Sequence, residues 1–131
     1  EPINIFNNGD MIRDFTYIDD IVEGIIRVND KPANSSDDFD SKLPDPSISN
    51  APYRVFNIGN STPVELLKYI NSIEDALGKS AIKNFMPMQP GDVPQTFSDT
   101  SELFDWVKFK PNTNIKEGIL KFVNWYKEFY L

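Results

Sequence analysis

Two short stretches hold the residues best suited to chemistry. In "RDFTYIDDI" (residues 13–21) a single arginine follows the turn signal Asn8-Gly9-Asp10 and precedes a short extended stretch. A guanidinium placed there could project into a cleft, where its planar fork of donors matches a pyrophosphate through charge-assisted, bidentate hydrogen bonds. The ordinary alternative is a salt bridge from Arg13 to Asp14 or another nearby carboxylate, and on the local residues alone it is the stronger reading. In Gln89-Pro-Gly-Asp92 a tight turn can hold the Asp92 carboxylate at a defined angle toward a ligand hydroxyl, and a ribose diol is such a group. Here the alternative is that Asp92 caps its own turn, which is again favoured locally. Asp19 and Asp20 make a poor metal pair, because nothing nearby completes a coordination shell. They read better as acids opening a helix.

Composition narrows the chemistry further. The 131 residues carry a net charge of −7 from scattered acids, a field that opposes long-range capture of nucleic acid or an anionic membrane. An anionic small ligand therefore needs donors concentrated at one place. The chain has no cysteine and no histidine, which removes disulfides, thiolate chemistry, imidazole catalysis and the usual zinc ligands. No signal peptide or long apolar run is present, so the reading is a cytoplasmic protein with no membrane partner. Glu1-Pro2 leads straight into a strand-like run with no initiator methionine, so the chain reads as beginning in mid-protein.

Hydrophobic periodicity supplies the elements that must position these residues. "INIFNN" (residues 3–8) has strand character. Ile18, Ile21, Val22, Ile25 and Ile26 form one helical stripe, with Asp20 and Glu23 as a capping pair. Residues 30–52 are rich in Pro, Ser, Asp and Asn and read as a flexible surface loop. "YRVFNIGN" (residues 53–60) reads as an apolar strand. It leads into a helix with Thr62 as N-cap, Pro63 at the first position, and Gly78 as a left-handed C-cap. A weaker strand follows at residues 81–88, and Asp99 to Glu102 looks like the cap of a short helix. The last helix, from about Thr113, has Ile115, Ile119, Phe122, Val123, Tyr126 and Tyr130 on its expected buried face. Strands alternating with helices argue for an α/β arrangement, with too few strands for a complete doubly wound sheet.

Four segments, "RDFTYIDDIVEGI", "APYRVFNIGNSTPVELL", "MQPGDVPQTFSDTSEL" and "FKP", occur in an order and spacing that resemble the C-terminal portion of the NAD-dependent nucleotide-sugar epimerases and dehydratases. These are the extended short-chain dehydrogenase/reductases, and the UDP-glucuronate 4-epimerases among them are most similar. The resemblance spans nearly the whole chain outside residues 30–52. It implies an α/β fold in which residues 1–131 form a small substrate-binding domain, plus a strand and a helix belonging to an incomplete Rossmann fold. The N-terminal Rossmann domain would lie outside this sequence and bind NAD, so no cofactor is expected within the segment. Neither the family's Gly-x-x-Gly-x-x-Gly loop nor its catalytic Tyr-x-x-x-Lys pair occurs here, so no catalytic residue is expected and the segment alone should be inactive.

The same resemblance implies that the whole protein inverts C4 of a UDP-sugar through a 4-keto intermediate and is a homodimer. The overlapping motifs also admit another nucleotide-sugar epimerase, a 4,6-dehydratase or a non-catalytic binding module. By match of motif, Arg13 takes the role of a nucleotide-phosphate contact and Asp92 that of a ribose contact. Some relatives have a second phosphate-binding arginine just before Pro-Gly-Asp. Gln89 stands near that place, able to donate a hydrogen bond but bringing no charge. Lys108 stands where relatives often have glycine, and a left-handed backbone there would cost lysine about 1 kcal/mol.

Overall fold

The computed structural model describes residues 1–131. Strand β1 (Ile3–Ile5) runs parallel to β4 (Lys83–Phe85), in the register Ile3 to Lys83 and Ile5 to Phe85. A parallel pair needs a long crossover between its strands, and helices α1 (Ile18–Asp30) and α2 (Leu66–Leu77) both fall in this one. Between β1 and α1, a tight turn at Phe6–Gly9, with Asn7 and Asn8 both left-handed (φ 51°), delivers the chain to β2 (Ile12–Arg13), which pairs antiparallel with β3 (Val64–Glu65). After β4 come α3 (Ser101–Val107) and α4 (Ile115–Tyr130). The expected α/β character holds, as small two-stranded sheets with helices against them.

Helix α2 packs against α4, with Ile70 of the first and Ile119 and Val123 of the second buried. With Val123, the side chains of Ile5, Leu103 and Pro111 are the largest that are fully enclosed. Helix α4 begins on Asn114, whose side chain accepts a hydrogen bond from the Glu117 amide at 3.0 Å, as a good N-cap does. Helix α2 ends at Gly78 in the left-handed conformation (φ 69°), as its sequence predicts. Beyond it Lys83 on β4 pairs with Glu74 on α2, and this charged hydrogen bond, with one from the Ala81 amide, holds the Glu74 carboxyl below its usual range. No helix is long and apolar enough to cross a membrane.

Four expectations are corrected. Residues 53–60 form no strand ladder; their single pairing is an isolated bridge from Arg54 to Ile48. Thr62 and Pro63 do not begin α2. The amides of Ser61 and Thr62 are taken by the Asp14 carboxylate, Val64–Glu65 is drawn into pairing with β2, and helical geometry starts only at Leu66. Asp20 does not cap α1, whose N-cap is Tyr17 without a side-chain bond. Its carboxylate instead accepts from the amides of Thr113 and Asn112, at 2.9 and 3.3 Å, and so ties α1 to the entry of α4. Lastly, Phe122, Tyr126 and Tyr130 were expected on the buried face of α4 but are largely exposed, because α2 covers only the Ile119–Val123 side.

Candidate functional site

Arg13 sits on a strand fastened from both sides. On one side β2 pairs with β3; on the other the Ile12 amide donates to the Pro94 carbonyl at 2.9 Å and the Thr96 amide to the Ile12 carbonyl at 3.1 Å. Both rows of backbone hydrogen-bonding groups are thus engaged around Ile12, so the base of the Arg13 side chain is held by main chain rather than by a mobile loop.

Its guanidinium meets the second candidate residue. Arg13 Nη2 lies 2.8 Å from Asp92 Oδ1, with the two side chains 22% and 32% exposed. Nη1 donates to the carbonyls of Ile12 and Pro94 at 3.0 and 3.2 Å. Arginine therefore does form a salt bridge, as the ordinary reading of its surroundings has it, but not with Asp14. Its partner lies 79 positions away. Asp92 also accepts from the amide of Val93 at 2.8 Å, while its own amide donates to the Gln89 carbonyl and Gly91 takes φ +84°. So the carboxylate caps its turn and faces the arginine at once, and exposed Gln89 belongs to the same turn.

A cation and an anion held together here offer a ligand two opposite recognition elements within one small patch. An incoming phosphate would replace Asp92 on Nη2 or engage Nε, and the displaced carboxylate would be free to accept from a hydroxyl. The apolar groove between Phe15, Tyr17, Tyr69, Ile73 and α4, about 240 Å³ in volume, contains none of Arg13, Gln89 and Asp92. No group of three or more acidic side chains is arranged to hold a metal ion.

The sequence reading missed Asp14, next to Arg13. Its carboxylate accepts hydrogen bonds from the amides of Ser61 (3.0 Å), Ser98 (3.1 Å) and Thr62 (3.3 Å). Those donors lie 47, 84 and 48 positions away, so no local pattern could mark the role. Ser61 has φ 52°, and its hydroxyl donates to the Ser98 carbonyl at 2.8 Å.

Residues 1–59 match the family model described as the NAD dependent epimerase/dehydratase family. The Protein CapI of Staphylococcus aureus is 50% identical over 130 residues, covering 99% of this chain and 39% of its own length. A probable UDP-glucuronate 4-epimerase of Rhizobium meliloti (strain 1021) is 43% identical over 130 residues, with 98% of this chain and 38% of the relative covered. Among solved structures, a UDP-glucuronic acid 4-epimerase from Bacillus cereus in complex with UDP-glucuronic acid and NAD superimposes with a TM-score of 0.74 at 30% identity, covering 99% of this chain and 36% of that one. The chain thus spans about two-fifths of the length of the relatives it matches. The chain is thus similar along nearly its whole length to proteins named as UDP-glucuronate 4-epimerases, and its first 59 residues, through β1, β2 and α1, match the model of the NAD dependent epimerase/dehydratase family.

Proposed function

We propose that residues 1–131 are the C-terminal, UDP-sugar-binding portion of a UDP-glucuronate 4-epimerase that works with NAD. One observation carries the site: Arg13 and Asp92, 79 positions apart and each singled out as a nucleotide contact, are 2.8 Å from one another. Arg13 would hold the diphosphate and Asp92 the ribose, and Gln89, on the same turn as Asp92, would donate a hydrogen bond. Relatives named as UDP-glucuronate 4-epimerases support the choice of sugar nucleotide.

On this reading, NAD is left to residues outside this segment, whose own contribution is to grip the nucleotide. Firm binding of a remote handle lets the sugar be held loosely enough to present either face, because binding energy far from the reacting carbon retains the intermediate. The intact protein is proposed to be a cytoplasmic homodimer in which this portion meets its own Rossmann domain.

The direct test is Arg13→Ala in the intact enzyme, titrated with UDP. The expected loss is about 1.5–3 kcal/mol, the scale of a hydrogen bond to a charged group. An unchanged dissociation constant would remove Arg13 from the site. Purified residues 1–131 should show no turnover of UDP-glucuronate.

A further inference from the structure

We propose that Asp14 is a positioning residue for nucleotide binding, which sets the register of the Asp92-bearing segment against the strand that carries Arg13. The inference rests on the assignment of Arg13 and Asp92 to the UDP site.

The argument begins with where Asp14 reaches. Its carboxylate gathers amides from two separate segments, Ser61 and Thr62 on one and Ser98 on the other. Its own amide donates to the Thr96 hydroxyl at 3.2 Å. Together with the Ile12 bonds to Pro94 and Thr96, this laces residues 94–98 alongside residues 12–14. Asp92 stands two residues before Pro94, whose carbonyl also accepts from Arg13. Any slip of residues 94–98 along β2 therefore moves the Asp92 carboxylate relative to the guanidinium.

The segments Asp14 joins also meet at close quarters. A Cβ added at Gly59 would lie 2.4 Å from Ser98 Cβ, so the 59–62 turn and residue 98 approach as only glycine permits. Ser61, with a left-handed backbone, spends its hydroxyl on Ser98 and Thr100 rather than on solvent. A carboxylate that accepts several amides fixes them far more tightly than a neutral side chain would, since hydrogen bonds to a charged acceptor are the stronger kind. Asp14 makes no bond to Arg13 itself, so its influence on the nucleotide runs through the backbone.

Two effects of Asp14→Asn have opposite signs, and this makes the inference testable. Removing a negative charge beside an anion site should tighten UDP binding by simple electrostatics. Loss of register should weaken it. We expect Asp14→Asn in the intact enzyme to weaken UDP about tenfold, the effect of losing roughly 1.4 kcal/mol, with the Asp14→Asn/Arg13→Ala double variant losing less than the two single losses added together. Such non-additivity is the mark of a residue acting through another; a purely structural role would lower the melting temperature and add its loss to the Arg13 effect. If Asp14→Asn does not fold, Thr96→Val tests the same register without altering charge, since it removes the exposed hydroxyl that accepts from the Asp14 amide, and it should weaken UDP while leaving the protein folded.

Unchanged or tighter UDP binding in the folded variant, with Arg13→Ala still impaired, overturns the role of Asp14 and leaves the UDP site standing. Full affinity in Arg13→Ala overturns both.

Discussion

Helix α1 and the α2–α4 pair carry equally clear apolar stripes and treat them in opposite ways. Ile70, Ile119 and Val123 interlock and are lost from solvent, whereas Ile18, Val22, Ile25 and Ile26 on α1 stand 46% to 61% exposed. Only Gly24 is buried on α1, against Ile58. A helical stripe reports that a face suits an apolar cover, but not which surface provides it. For α2 and α4 each is the other's cover. For α1 no element of this chain fills that role, and a chain spanning about two-fifths of its relatives' length leaves room for one elsewhere in a longer protein.

The largest effect that sharpens this contrast should come from Leu103→Ala. Leu103 is fully enclosed, so truncation loses its transfer free energy and leaves a cavity, costing about 2–5 kcal/mol by denaturant unfolding. A loss below about 1 kcal/mol would mean that this core is not the one that holds the fold.

Next comes a contrast between two helix ends. Gly78 and Lys108 both take left-handed C-cap geometry, with φ 69° and 53°, but only the first is glycine. The Lys108 ammonium sits 3.7 Å from Asp105 with both side chains largely exposed, a pairing worth little. Backbone strain should therefore prevail, and Lys108→Gly should stabilise the protein by up to about 1 kcal/mol. A lower melting temperature in that variant would show that the lysine contacts outweigh the strain.

The smallest effect is expected on α1. Ile25→Ser should alter the stability of residues 1–131 by no more than about 0.5 kcal/mol, as for other surface positions. A cost close to that of Leu103→Ala would abolish the distinction between the two faces.

The candidate site shows the same division between local and distant causes. Arg13 and Asp92 stood out in the sequence because an arginine after a turn and a carboxylate on a Pro-Gly turn are local patterns, and the family resemblance added a proposed role for each. Their meeting was not legible, since it depends on residues 94–98 lying beside β2. Asp14 and Asp20 were misread or passed over for a related reason. Asp20 looks like an acid opening a helix and Asp14 like a neighbouring partner for Arg13, yet each spends its carboxylate on amides dozens of positions away. The 53–60 segment has strand composition but finds no neighbouring ladder, and strand character without a partner does not make a sheet.

By itself, the amino-acid order determined the α/β alternation, the spans of α1 and α4 within a few residues, and the end of α2 at Gly78. These follow from side-chain period and from caps, which act over a single turn of chain. Only the tertiary structure decided that Arg13 would face Asp92, that Asp14 would hold two remote segments, and that α1 would keep its isoleucines in solvent. Those outcomes depend on which surfaces arrive next to one another, and an amide donor or an apolar cover can come from any distance along the chain.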